Sequence, residues 1–180
     1  MGRPLLVVVS GLPGAGKTTL SAVLAERTGA VALSRDLARR QAGARLAPVD
    51  RIVARMTGRH RRGLQEEAGR RLLMAAAREL AAGRPVIVEA VADRAIRRQL
   101  VALAAQHKAP LCSIEVVCTD PAELSRRLDR RPGNWQRILA RTSKSYEPQP
   151  GALVVDSRDT PDTMADQAIQ FISRHLEDQP

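Results

Sequence analysis

Gly11-Leu12-Pro13-Gly14-Ala15-Gly16-Lys17-Thr18 is the stretch on which the reading of this chain turns. It fits G-x-x-x-x-G-K-[ST], a loop whose backbone wraps around phosphate groups. Before it, Leu5-Leu6-Val7-Val8-Val9-Ser10 is a short apolar, β-branched run of the kind that forms a strand buried on both faces. After it, Leu20, Val23 and Leu24 recur at helical spacing, and Gly29 stands where a helix C-cap falls. The glycines let the backbone turn tightly and aim its N–H groups at phosphate oxygens. The helix that follows adds its positive N-terminal end. Lys17 is placed to reach the β- and γ-phosphates, and the Thr18 hydroxyl to hold Mg²⁺. With Thr19, the segment Gly11, Leu12, Pro13, Gly14, Ala15, Gly16, Lys17, Thr18 is the candidate nucleotide site, and the expected cofactors are ATP or GTP with Mg²⁺.

The 180 residues suit one domain with a proper core, and 44% hydrophobic residues make it globular. No apolar run approaches the ~18 residues of a membrane span. Met1-Gly2-Arg3-Pro4 leads straight into the first strand, without the length of a signal peptide. Cys112 and Cys118 fall in one expected strand, which suits reduced, buried thiols. The expectation is a cytoplasmic protein that engages no membrane.

The formal net charge is +10, and of the 29 basic residues only Lys17, Lys108 and Lys144 are lysines. An arginine excess beside so many alanines is also what a GC-rich genome produces. Basic charge favours phosphate-rich partners. Trp135, Tyr146 and Phe171 are the only aromatics, however, which is poor equipment for stacking bases. Nucleic acid therefore ranks below a small molecule as partner.

Val31-Ala32-Leu33-Ser34 reads as a second strand, followed by the charged cluster Arg35-Asp36-Leu37-Ala38-Arg39-Arg40. In open α/β sheets this edge, beyond the C-terminal end of a strand, is where ligands sit. Asp36 there suits a general base that takes the proton of an attacking hydroxyl, although Asp is also ordinary in a first helical turn. From residue 41 to 63 glycines and a proline interrupt the pattern, and Arg51, Arg55, Arg59, Arg61 and Arg62 make it strongly basic. It reads as an acceptor-side insertion or as a solvated helical face. Residues 64–82 form a firm helix with Ala68, Leu72, Leu73, Ala76 and Leu80 on one side, stopped by Gly83.

Pro85-Val86-Ile87-Val88-Glu89-Ala90 is the next buried strand. Glu89 at its end is placed either to assist Mg²⁺ or to orient the acceptor. Arg94, Arg97 and Arg98 open a helix through Leu100, Leu103 and Ala104. Residues 111–118 are a fourth strand, with Cys112, Ile114, Val116 and Cys118 on one face. Thr119-Asp120-Pro121 starts a helix carrying Arg126, Arg127, Arg130 and Arg131, which Pro132-Gly133-Asn134 ends. Such an arginine group suits a lid at 126–134 that closes over phosphates, and equally a solvated charge run. Leu153-Val154-Val155 is a fifth strand, and Thr160-Pro161-Asp162 caps a last helix with Met164, Ile169, Ile172 and Leu176.

Parallel neighbours need crossover helices, so five buried strands alternating with helices predict an α/β three-layer sandwich around a five-stranded parallel sheet. With the glycine loop this is the P-loop NTPase, nucleotide kinase-like architecture, as one domain over residues 1–180.

The chain resembles the P-loop kinases that group zeta toxins, chloramphenicol phosphotransferase and phage-type polynucleotide kinases, within the AAA-type ATP-binding kinases. The resemblance rests on the glycine loop, on Arg35, Asp36 and Arg39, on the strand ending at Glu89 and on Arg126 to Arg131, in that order along the chain. It implies that Asp36 activates the acceptor hydroxyl, that Arg39 binds the acceptor, and that Arg131 and Arg127 are lid arginines. Glu89 departs from the family, which more often has Asp there. The function expected is an ATP-dependent kinase for a hydroxyl of a small molecule such as a nucleoside, sugar or antibiotic, with antibiotic resistance among its consequences. A 5′-hydroxyl polynucleotide kinase and a nucleotide-dependent switch without an acceptor are the alternatives. The acceptor and the oligomeric state are not legible.

Overall fold

Strand β1 (Leu6–Ser10) is buried along its whole length, as a run of five apolar or small residues without polar alternation requires. The computed structural model describes residues 3–34, 59–89, 94–131, 133–144 and 146–177. After β1 come α1 (Lys17–Thr28), β2 (Val31–Ser34), α2 (Arg59–Ala81), β3 (Val86–Glu89) and α3 (Arg94–Gln106). Then follow β4 (Leu111–Val117), α4 (Pro121–Asp129), α5 (Trp135–Ser143), β5 (Leu153–Asp156) and α6 (Pro161–Glu177). The strand order is β2-β3-β1-β4-β5, with every pair parallel. The five-stranded parallel α/β sandwich is therefore as the sequence predicts.

Alternation along the strands divides the core into two layers. Val7 and Val9 of β1, with Ile87, Cys112, Ile114 and Val116, pack against Leu20 and Leu24 of α1 and Met164, Ala165, Ala168 and Ile172 of α6. Leu6 and Val8 face the other way, with Val86 and Val88, onto Leu72, Ala76 and Leu80 of α2 and Ile96, Leu100 and Ala104 of α3. Each fully buried Leu, Ile or Val contributes roughly 1.5–3 kcal/mol, so these two layers hold the sheet.

Local signals set the helix ends. Gly29 ends α1 in the left-handed conformation, with φ 68° and its N–H donated to the carbonyl of Ala25 at 2.9 Å. Asp120 caps α4, its carboxylate accepting from the N–H groups of Ala122 and Glu123 at 2.9 and 3.2 Å. Thr160 caps α6, accepting from the N–H of Thr163 at 3.1 Å.

Three details differ from the expectations. Helix α2 begins at Arg59, five residues before the firm apolar pattern, because arginine and histidine are tolerated in a helix and their sequence carries no apolar periodicity to announce it. Helix α4 ends at Asp129, leaving Arg130 and Arg131 beyond its last turn, and α5 follows Asn134, which caps it by accepting from the N–H of Arg137. Cys118 lies past the end of β4 and is half-buried, whereas Cys112 is buried; both thiols are free. The segment holding Arg35, Asp36, Arg39, Arg51 and Arg55 lies outside the described residues, as does most of the expected insertion at 41–63; residues 59–63 open α2.

Candidate active site

The glycine loop joins the C-terminal end of β1 to the first turn of α1, and its geometry explains its composition. Gly11 has φ 140°, and a Cβ there would lie 2.2 Å from the carbonyl oxygen of Val116 on β4. Gly16 has φ 99°, and its Cβ would lie 2.9 Å from the Cβ of Ser157. Only glycine lets the loop lie this close to the sheet. Gly16 is the N-cap of α1 and supplies no side-chain acceptor, and the first turn holds no acid. The first turn of α1 therefore has no side-chain cap, and the helix end favours negative charge.

Lys17 and Thr18 begin α1 where the loop closes. The Lys17 ammonium donates to the carbonyl of Leu12 at 2.8 Å, which keeps its charge folded over the loop. The Thr18 hydroxyl donates to Oε2 of Glu89 at 3.0 Å, across the boundary between α1 and β3. Register places Glu89 beside Val9, two residues before Gly11. A hydroxyl and a carboxylate at this spacing form a hard, oxygen-donor pair. Among the described residues no group of three His, Cys, Asp or Glu stands ready as a metal cage. That is the donor set suited to Mg²⁺, which uses one or two carboxylates together with phosphate oxygens.

The arginines after β4 are held differently from one another. Arg127 donates to the hydroxyl and the carbonyl of Ser157 at 2.7 and 2.9 Å, and its Nε to Glu123 at 2.7 Å. It thus connects α4 to the same serine that packs on Gly16. Arg126 and Arg127 together hold the Glu123 carboxyl below the usual range. Arg131 lies over the Trp135 ring, 5.4 Å from its centroid, a cation–π distance. Next to Ser157, burial alone would raise the carboxyl of Asp156. The Thr119 hydroxyl and the backbone and side chain of Arg158 outweigh that effect and bring it down to about 2.

One buried polar group near the loop has no counterpart in the sequence reading. Ser10 ends β1 and is paired in register with Glu115 of β4; both are buried, at 2% and 4% exposure. The Tyr146 phenol sits beside Ser10, Glu115 and Arg97, and burial, then the Glu115 carboxylate, pushes its ionisation above the ordinary value. Arg97 of α3 donates through Nη1 to the carbonyl of Glu147 at 3.0 Å. The Tyr146 phenol is set against the Ser10 hydroxyl and the Glu115 carboxylate, yet Oε2 of Glu115, Nε of Arg97 and the Tyr146 hydroxyl are shielded from solvent without a well-formed hydrogen bond. The one signal in the sequence is Glu115, an acid inside a largely apolar strand; it does not point to Ser10, Arg97 or Tyr146 as its neighbours.

The fold and the glycine loop define a P-loop nucleoside-triphosphate-binding protein. Residues 6–147 match the family model described as AAA domain, and the chain belongs to that family. No curated protein matches it. Several solved structures share its fold. A crystal structure from Chloroflexus aurantiacus is 24% identical with a TM-score of 0.71, all of both chains being covered. A gluconokinase from Sinorhizobium meliloti is 21% identical with a TM-score of 0.65, covering 98% of this chain and 96% of that one. The APS kinase of Mycobacterium tuberculosis, in complex with AMPPNP and APS, is 18% identical with a TM-score of 0.68, covering 96% and 99%. No helix among the described residues is long and apolar enough to cross a membrane.

Proposed function

We propose that this chain is an ATP-dependent phosphotransferase that moves the γ-phosphoryl group to a hydroxyl of a small molecule, a nucleoside, sugar or antibiotic. The observation that carries the reading is the Thr18–Glu89 hydrogen bond at the mouth of an uncapped, glycine-built anion site. A gluconokinase and an APS kinase share the fold, which favours phosphoryl transfer to a small acceptor over a switch without one. Within this fold, the Arg35-Asp36 pair and Arg39 align the chain with the group of zeta toxins, chloramphenicol phosphotransferase and polynucleotide kinases.

Phosphoryl transfer asks the protein mainly for positioning and charge. The backbone N–H groups of the glycine loop, Pro13 having none, and of the start of α1 hold the phosphates. Lys17 leaves the Leu12 carbonyl for the β- and γ-phosphate oxygens. Thr18 and Glu89 would hold Mg²⁺, which when bound neutralises charge on those oxygens. Asp36 takes the proton of the acceptor hydroxyl as its oxygen bonds to phosphorus and the bond to the β-phosphate oxygen breaks, releasing ADP. Arg39 holds the acceptor, and Arg131, with Arg127, supplies cations from the lid.

The test is a screen of hydroxyl compounds with Mg²⁺–ATP, read by mass spectrometry for an added phosphate. A sugar, nucleoside or antibiotic that gains one phosphate per ADP formed is the expected result. ADP accumulating equally without any acceptor would identify a switch or ATPase. Efficient labelling of a 5′-hydroxyl oligonucleotide, with affinity falling at a log–log slope of about 0.7 per phosphate contact as salt rises, would identify a polynucleotide kinase.

A further inference from the structure

The group at Ser10, Arg97, Glu115 and Tyr146 has more unmet hydrogen-bonding capacity than a packed core tolerates. A buried polar atom without a well-formed hydrogen bond is unfavourable, and three lie together here. They come from separate elements: Arg97 from the first half of α3, Glu115 from the centre of β4, and Tyr146 from the segment after α5. Such convergence of distant parts of the chain is what a binding site produces.

The location ties the group to the phosphate loop. Ser10 is the residue before Gly11, and Glu115 is the residue before Val116, whose carbonyl touches Gly11. On the flank of the sheet, Val154 of β5 stands in register with Glu115 and is 57% exposed, so solvent reaches the sheet face next to the carboxylate.

The mixture of unmet atoms selects the ligand chemistry. Glu115 offers an acceptor, while Arg97 and Tyr146 offer donors. A phosphate or carboxylate would be repelled by Glu115, and an ammonium group by Arg97. A hydroxyl accepts from Tyr146 or Arg97 while donating to Glu115, and so meets both needs. Exposed Val154 supplies an apolar surface for the C–H face of a ring.

We infer that Arg97, Glu115 and Tyr146 form a recognition subsite for a neutral, hydroxyl-rich acceptor, bound beside the phosphate loop through hydroxyls other than the one phosphorylated. The inference rests on the phosphotransferase reading and narrows its acceptor to neutral polyols and sugars.

The experiment uses the full chain saturated with AMPPNP and Mg²⁺ and titrates it calorimetrically with D-glucose, D-ribose and myo-inositol. Glucosamine and glucose 6-phosphate serve as charged counterparts. Wild type, Glu115→Gln and Tyr146→Phe are compared, and transfer from ATP to the same compounds is followed in parallel. At least one neutral probe should bind wild type more tightly than its charged counterparts. Each substitution should weaken that probe by about tenfold, with AMPPNP affinity changed less than twofold. Tyr146→Phe keeps the ring and serves as the folded variant if Glu115→Gln does not fold. An enclosed water filling the group would leave probe affinity the same in both variants, which overturns the subsite. Preference for a charged probe, or no probe binding at all, overturns it as well. Transfer to an acceptor that ignores both substitutions would leave the kinase standing without this subsite. Binding that depends on Glu115 without any transfer would keep the subsite and remove the kinase reading.

Discussion

The hydroxyl of Thr18 and the carboxylate of Glu89, 71 positions apart in the chain, meet at 3.0 Å where α1 starts and β3 ends. This contact sets an oxygen pair from two different strand–helix units at the foot of the phosphate loop. It exists because β3, not a sequence neighbour, lies next to β1 in the sheet.

Glu89→Gln keeps a partner for Thr18 but removes the negative charge from the pair. Turnover should fall by about a hundredfold, with a higher Mg²⁺ concentration needed for half-maximal rate. A titration of rate against Mg²⁺ checks this, and an unchanged Mg²⁺ dependence would remove Glu89 from metal binding.

Lys17→Ala deletes a side chain that rests on Leu12 rather than in the core. The fold should lose only about 1 kcal/mol, while kcat/KM drops by at least about a hundredfold. Circular dichroism melting beside a coupled ADP assay separates the two effects.

Asp36→Asn should abolish transfer and leave nucleotide affinity nearly as it was. The amide keeps the shape but cannot take up the acceptor's proton. Collapse of AMPPNP binding together with activity would make Asp36 a structural or metal-linked residue instead.

Gly11→Ala forces a Cβ against the Val116 carbonyl at a backbone angle that suits glycine. The blocking atom is main chain of a central strand and has nowhere to go. Urea unfolding should show a loss of roughly 2–4 kcal/mol, and nucleotide affinity should fall even in the fraction that folds.

Asp156 provides the acid response. Its carboxyl lies at about 2 in the folded chain, below the ordinary 3.8. A depressed carboxyl adds stability that is complete above the unfolded value and is lost as pH falls through the folded one. The shift amounts to at most about 2 kcal/mol. Asp156→Asn should therefore cost up to that amount at neutral pH, a small part of it at about pH 2 and nothing once pH is well below about 2, flattening stability between about pH 5 and 1 in denaturant titrations.

All five strands were legible because each is a mostly apolar run bounded by Gly, Pro or an acid; the inner strands β1, β3 and β4 are largely buried, while the edge strands β2 and β5 are only partly so. The glycine loop was legible because its spacing is set by phosphate geometry. Helix α5 was not, since it is only nine residues long and buries none of them completely. Arg127 could be read as a lid cation, but its attachment to Ser157 depends on a strand 30 positions away. The Ser10–Glu115–Tyr146 group was not legible as a group: Glu115 stands out as an acid in its strand, but register brings Ser10 to it and the segment after α5 brings Tyr146.

The placement of β1 at the centre of the sheet also has a temporal consequence. Its Ser10 hydroxyl donates to the carbonyl of Ile114, 104 positions later, and both its neighbouring strands come from the second half of the chain's first 117 residues. On a ribosome adding ~5–20 residues per second, the strand that opens the protein waits roughly 5–20 s for β4. Until then Leu6, Val7, Val8 and Val9 keep at least one open edge, the one that β4 covers, and through that interval the nascent chain benefits from being shielded from other chains.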